Sequence, residues 1–328
     1  MMTRILIVGT GLIGSSLGLA LKASPRAAEL QILGYDREPG ELATALKLGA
    51  IDEALSEEDV LAPGRAEIYV LAVPVLCILD WLQRLAPVLG PRQLVTDVGS
   101  TKRQIAEFAA PLYNRTQNRT QNGTRQDGMQ QAAFLPGHPM AGKESGGAAL
   151  AEATLFHHAT WLFTPSVQEQ DGTEESPFRS NVEEAVIAAA LPRLPHPLET
   201  LWRELVASIG AQVRDLAPER HDELCAWVSH LPQYLSTALA ALLEDTFAAD
   251  AEGMAAVQAI GGRALRETTR LGASPYSMWR DIALTNTDEV AATLLALEQR
   301  LQHIRENLRT PELRDEFAMA NKFRATKP

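Results

Sequence analysis

Short apolar runs recur through the first two thirds of the chain, each bounded by turn-forming or polar residues. The runs 4-RILIVG-9, 31-QILGYD-36, 67-EIYVLAV-73, 94-LVTDV-98, 133-AFLPG-137, 159-ATWLFT-164 and 211-AQVRDL-216 predict strands. Amphipathic segments of helical period separate most of them, and strands alternating with helices imply crossover units and a largely parallel sheet. From about Pro218 the strand signal stops. There 218-PERHDELCAWVSHLPQYLSTALAALLED-245 and 288-DEVAATLLALEQRLQHIRENL-308 predict long helices, the first with Pro218 near its start and acids in its opening turns. The pattern divides the chain into an α/β domain over 1–216 and an all-α domain over 217–328.

Two stretches carry no apolar period. Residues 114-NRTQNRTQNGTR-125 form a polar quasi-repeat that cannot bury enough surface to fold alone and predict a mobile loop, and 166-SVQEQDGTEESPFRS-180 is similarly polar and predicts an exposed segment. Three N-x-T triplets in the first match glycosylation acceptors, but no secretory signal accompanies them.

Composition narrows the function. A length of 328 residues suits two domains, and 46% hydrophobic with 22% charged residues is a globular composition. No run of about eighteen apolar residues exists to span a bilayer. The apolar N-terminus is punctuated by glycine and leads into a helix pattern, so it predicts fold and not a cleavable leader. Cys77 and Cys225 lie far apart, which supports neither a disulfide framework nor a metal site and predicts a reducing, cytoplasmic setting. A formal charge of −11 opposes nucleic-acid binding, so an anionic ligand requires a local arginine cluster.

The strand ends carry the candidate chemistry. In 9-GTGLIG-14, directly after a strand and opening a helix, Gly9 allows the tight turn and Gly11 lets the backbone approach a pyrophosphate. Gly14 lets helix and strand pack closely, with Leu12 and Ile13 completing the turn, while the helix N-terminus favours phosphate charge. Asp36 ends the second strand about twenty residues later, where an acid accepts from the ribose hydroxyls and repels a 2′-phosphate. The turn and the acid together predict a Rossmann-type domain and favour NAD over NADP, although Arg37 stands next to the acid. Val73 and Pro74, at the end of another strand, are placed to line the cofactor crevice. In 96-TDVGSTK-102, Ser100 and Lys102 are expected to reach that crevice, with Asp97 and Gly99 shaping the turn.

His138, in 134-FLPGHPMAGKESGG-147, falls where the next strand would end, among glycines that leave room for a ligand. A neutral imidazole there can take a proton from a substrate hydroxyl, since its ordinary pKa lies near neutrality. In the helical half, His230 precedes Pro232 inside a helical pattern, and an interior proline frees a carbonyl and kinks the helix. Arg263, Arg266 and Arg270 recur at spacings of three and four. Arg270, just before the 272-GASP-275 break, is best placed to clamp a carboxylate.

The segments 9-GTGLIGSSLGLALK-22, 71-LAVPV-75, 96-TDVGSTK-102, 137-GHPMAG-142, 229-SHLP-232 and 269-TRLGASPYSMWRDI-282 together resemble the prephenate and arogenate dehydrogenase family. The resemblance implies an N-terminal nucleotide domain, a helical domain that builds a homodimer, and NAD-dependent oxidative decarboxylation in tyrosine biosynthesis. It implies that His138 takes the proton from the ring hydroxyl, and that Ser100 bonds that hydroxyl or the histidine. It further implies that His230, Arg270, Glu144 and Gly262 bind substrate and that Trp279 sits near the domain and dimer interface.

Many prephenate-type members carry Thr-Glu-Lys-Ser-Gly after the histidine segment, whereas this chain reads 143-KESGG-147, with Glu144 matching and Lys143 not. Glu144 tilts the expectation toward prephenate over arogenate or a dual-specificity cyclohexadienyl enzyme. Nothing before the first strand or after the last helix resembles a mutase or a regulatory domain, so a monofunctional enzyme is expected, with any tyrosine inhibition at the active site. A β-hydroxyacid dehydrogenase would use a lysine on a helix of the second domain, and this chain has none between Lys143 and Lys322. A catalytically inactive NAD-binding regulator would have little reason to keep His138, Ser100 and Arg270 together.

Overall fold

The computed structural model describes residues 2–113, 131–165 and 196–326, so the polar segments at 114–125 and 166–180 lie outside the described residues. The described chain forms two compact units. Met1–Asp222 with Ser274–Thr285 makes the first, and Glu223–Ala273 with Asn286–Pro328 the second.

The first unit runs β1 (Thr3–Val8), α1 (Leu12–Ala23), β2 (Leu30–Tyr35), α2 (Pro39–Lys47), β3 (Glu53–Ala54), α3 (Glu57–Val60), β4 (Ile68–Leu71), α4 (Val75–Leu85), β5 (Leu94–Asp97), α5 (Arg103–Ala109) and β6 (Ala133–Leu135). These strands form one sheet in the order β3-β2-β1-β4-β5-β6, every neighbouring pair parallel. Apart from the short, exposed edge strand β3, the strands are largely buried on both faces, which is why their sequences are continuous apolar runs. Ile5 and Ile7 of β1 point to one core with Leu17 and Leu21 of α1, while Leu6 and Val8 point to the other with Ile78, Leu82 and Leu85 of α4.

The chain then leaves the parallel sheet. Pro136 has no N–H to continue a ladder, and beyond it β7 (Gly137–Pro139) joins a second sheet, antiparallel to β8 (Thr160–Phe163). After α6 (Pro197–Ser208), β9 (Gln212–Asp215) pairs parallel to β8. The expected run of strands is thus split between two sheets, and His138 lies inside β7 and not at a strand's end. Trp161, Phe163 and Trp202 fasten this second sheet and α6 to the core that contains Ile5 and Ile7.

From α7 (Pro218–Cys225) onward the described chain is helical: α8 (Leu231–Phe247), α9 (Ala251–Ile260), α10 (Gly262–Thr269), α11 (Tyr276–Thr285), α12 (Thr287–Glu306) and α13 (Glu312–Ala325). The long helix expected over 218–245 is interrupted by a wide π turn at Ala226–His230, just ahead of Pro232. Proline lacks the amide hydrogen and crowds the preceding turn, and widening that turn relieves both problems. α11 packs with the first unit: Asp281 accepts from the Leu76 N–H at 3.4 Å, and the Thr285 and Thr101 hydroxyls meet at 2.8 Å.

Candidate active site at the carboxyl edge of the parallel sheet

The parallel sheet reverses direction of travel between β1 and β4, and at that switch point the carboxyl ends of its strands open a crevice. Gly9 stands there with φ +95°, and a Cβ on it would lie 2.3 Å from the Ala72 carbonyl oxygen. No side chain but hydrogen is compatible with that turn. A Cβ on Gly14 would lie 1.9 Å from the Gly9 oxygen, so α1 and the turn are in direct backbone contact. Gly11 faces open space, no side chain caps α1, and its first turn holds no acid. The uncapped N–H groups and the space before them fit a pyrophosphate. Leu12 is buried, Ile13 is half-buried against the core, and Val73 and exposed Pro74 lead into α4.

Asp36 directly follows β2. Its carboxylate accepts from the Thr10 N–H at 2.7 Å and the Glu38 N–H at 2.9 Å, which fixes the acid beside the glycine turn. Arg37 lies 3.5 Å from the Glu38 carboxylate, so its charge is matched by a neighbouring acid. This rim of two acids fits a ribose with free hydroxyls better than one carrying a 2′-phosphate.

At the ends of β5 and β6 the structure departs from the expected picture. Lys102 does not reach the crevice: it is fully buried and its ammonium pairs with the equally buried Asp97 carboxylate. Burial of this kind requires a partner, and Asp97 also accepts from the Gly99 N–H at 2.8 Å and the Gly137 N–H at 3.2 Å. One carboxylate therefore ties together the Ser100 turn and the start of β7. Ser100 is half-buried and makes no side-chain hydrogen bond among the described residues.

His138 is half-buried on β7, and its Nδ1 lies 2.9 Å from Nε2 of His221. His221 Nδ1 in turn lies 2.8 Å from Oδ1 of Asp222, and both residues are fully buried. Asp222 also accepts from the backbone N–H groups of Lys102 at 2.7 Å and Arg103 at 2.9 Å, at the start of α5. Burial pushes the His221 imidazole below the ordinary histidine range, against the pull of Asp222 and with the help of the Lys102 ammonium. Neither His221 nor Asp222 stood out in the sequence, where 218-PERHDELC-225 looks like the polar opening of a helix. Glu144 is half-buried in the loop after β7, and Trp279 is half-buried on α11.

The second unit holds the other candidates. His230 closes the π turn, is buried, and has Nδ1 3.4 Å from the Asn286 amide nitrogen. Arg270 is exposed at the head of a 3₁₀ turn, Arg270–Ala273. That turn is tied to α8, where the Gln233 amide donates to the Leu271 carbonyl at 2.7 Å and Ser236 Oγ accepts from the Gly272 N–H at 2.9 Å. These two polar residues, unremarked in the sequence, hold the arginine's backbone. Gly262 opens α10 with φ +57°, while Arg263 is paired with Glu267 on the exposed helix face.

A sheet of this strand order, with an open glycine turn at its switch point and a histidine that can move protons at its carboxyl edge, defines a dinucleotide-dependent dehydrogenase. Residues 17–176 match the family described as "Prephenate dehydrogenase, nucleotide-binding domain", and residues 217–322 match "Prephenate dehydrogenase, dimerization domain". A prephenate dehydrogenase of Lactococcus lactis subsp. cremoris is 31% identical, over 98% of this chain and 75% of the relative. The structure of prephenate dehydrogenase from A. aeolicus, in complex with hydroxyphenyl propionate and NAD+, superposes with TM-score 0.72 at 25% identity, covering 98% of this chain and 96% of that one. Synechocystis arogenate dehydrogenase superposes with TM-score 0.68 at 26% identity, covering 98% and 99%. The chain belongs to the prephenate dehydrogenase family of NAD-dependent oxidoreductases. Among the described residues no helix is long and apolar enough to cross a membrane.

Proposed function

We propose that this chain converts prephenate to 4-hydroxyphenylpyruvate with release of CO2, using NAD+, in tyrosine biosynthesis. The observation that carries the proposal is the placement of His138 on the segment that follows β6, at the carboxyl edge of the sheet whose switch point holds the open glycine turn. Gly9, Gly11, Leu12, Ile13 and Gly14 hold the cofactor's pyrophosphate, Asp36 its adenosine ribose, and Val73 and Pro74 line its crevice. Bound NAD+ supplies the hydride acceptor for ring C4. His138 takes the proton of the C4 hydroxyl, Ser100 donates to or accepts from that hydroxyl, and loss of the ring carboxylate as CO2 leaves a phenolate. The proton held by His138 then returns to the phenolate oxygen, which leaves the imidazole neutral for the next turnover. Arg270, His230, Gly262 and Glu144 bind the substrate, with the Arg270 guanidinium on a carboxylate. Aromatisation makes loss of CO2 favourable, so the protein's task is to orient the reactants, accept the proton and hold the charges. The domain division falls at 216/217, the helical part forms a homodimer, and the enzyme works in the cytoplasm on a small molecule, with neither nucleic acid nor membrane as partner.

Reduction of NAD+ by the purified protein, with prephenate and arogenate in parallel, tests this reading. Prephenate is expected to give the larger kcat/KM; a larger value for arogenate would reassign the substrate, and silence with both would refute the activity. Asp36→Ala is expected to raise the KM for NAD+ about 10- to 100-fold, the worth of a hydrogen bond to a charged group, and to narrow the preference over NADP+. Initial rates with the two cofactors check this, and an unchanged ratio would remove Asp36 from cofactor choice.

A further inference from the structure

We propose that His221 and Asp222 act as positioning residues that set the tautomer of His138, placing its proton on Nδ1 and its lone pair on Nε2. The proposal rests on His138 being the base. Asp222 accepts at Oδ1 from the Lys102 N–H and at Oδ2 from the Arg103 N–H, so its carboxylate is oriented by the backbone at the start of α5. An ionised carboxylate only accepts, so the His221 Nδ1, 2.8 Å away, must donate to it. A neutral imidazole with its proton on Nδ1 presents a lone pair at Nε2. The atom 2.9 Å from that lone pair is His138 Nδ1, which must therefore carry a proton. What remains on His138 is Nε2, as the nitrogen able to accept.

A proton on His138 Nδ1 requires a neutral His221. A doubly protonated His221 would donate from both nitrogens, His138 Nδ1 would have to accept, and the proton of neutral His138 would move to Nε2, where it blocks the base. Full burial of His221 disfavours that charge, and the Lys102 ammonium, itself buried against Asp97, disfavours it further. The same groups hold the ring in place, because Asp97 secures the Gly137 N–H next to His138. The arrangement is a fixed acceptor, an oriented imidazole and a working imidazole, a hydrogen-bond series in which each member sets the next.

The test is ¹⁵N spectroscopy of the full-length protein labelled at histidine, with the His138 signals assigned by their loss in His138→Asn. Wild type is expected to show the Nδ1–H tautomer at His138. His221→Phe keeps the ring volume and leaves the two backbone bonds to Asp222, but removes the acceptor. Nε2–H should then dominate at His138, and kcat should fall roughly 10- to 100-fold, as for outer partners of a working histidine, with the KM for NAD+ unchanged. His221→Gln can donate to Asp222 and accept from His138 at once, so it should retain the Nδ1–H form and exceed His221→Phe in kcat. An Nε2–H tautomer in wild type overturns the proposal, whether or not His221→Phe folds, as does a His221→Phe variant with unaltered tautomer and kcat. Full turnover by His138→Asn would instead sink the base assignment and leave the tautomer result standing on its own.

Discussion

His138→Asn is expected to lower kcat for prephenate by about 10²- to 10⁴-fold, the usual worth of a positioned general base, with little change in KM. The choice of asparagine follows from the geometry. His138 uses Nδ1 to meet His221 Nε2 at 2.9 Å, and an asparagine amide nitrogen can take the place of Nδ1 and keep that bond. The variant therefore leaves His221, Asp222 and the Asp97 contact to the Gly137 N–H undisturbed and removes only the second nitrogen. A substitution that loses the accepting atom and nothing else should lower the rate of the proton-coupled step without altering ground-state binding. Steady-state kinetics with purified variant and wild type decide the matter. Turnover within a few-fold of wild type would remove His138 from its role, and a large rise in KM would make it a binding group.

The parts of this protein that were legible in its sequence are those whose cause is local. The glycine turn follows a strand and opens a helix: Gly14 answers a clash with Gly9 five residues back and Gly9 takes a positive φ within the turn, so both are readable without knowledge of the fold, although the approach of Gly9 to Ala72 is not. Strands of a sheet covered on both faces are continuous apolar runs, so β1, β2, β4 and β5 stand out. What escaped depends on segments meeting across long separations. Lys102 looks like a polar turn residue bound for the crevice, and hydropathy gives no hint that its ammonium folds back onto Asp97. His221 and Asp222 sit in a charged stretch that reads as a solvated helix start, yet both are fully buried because the loop before α5 and β7 close over them. The division of the later strands into a second sheet follows from Pro136, whose consequence for the ladder shows only when the neighbouring strand is known.

The misread lysine also carries the largest expected effect on stability. Lys102→Met is expected to destabilise the protein by about 3–5 kcal/mol at neutral pH, because it leaves a buried carboxylate without its cation. Asp97 would keep only the N–H groups of Gly99 and Gly137, two neutral donors where the native site also has an ammonium. The loss is due chiefly to the stranded charge and only secondarily to the missing attraction. The double variant Asp97→Asn/Lys102→Met should therefore be more stable than Lys102→Met alone, although it has lost more of the native contacts. It should not match wild type, since an asparagine offers one accepting oxygen where Asp97 uses both: Oδ2 for Gly99 and Oδ1 for Gly137. Urea unfolding of wild type, Lys102→Met, Asp97→Asn and the double variant at one concentration gives the cycle, the fixed concentration being needed wherever folding and association are coupled. A Lys102→Met cost under about 1 kcal/mol, the size expected of an exposed pair, would contradict burial of the ion pair. Because the Lys102 ammonium also disfavours a charged His221, the folded fraction of Lys102→Met should also lose kcat, through a His138 whose tautomer is less firmly set.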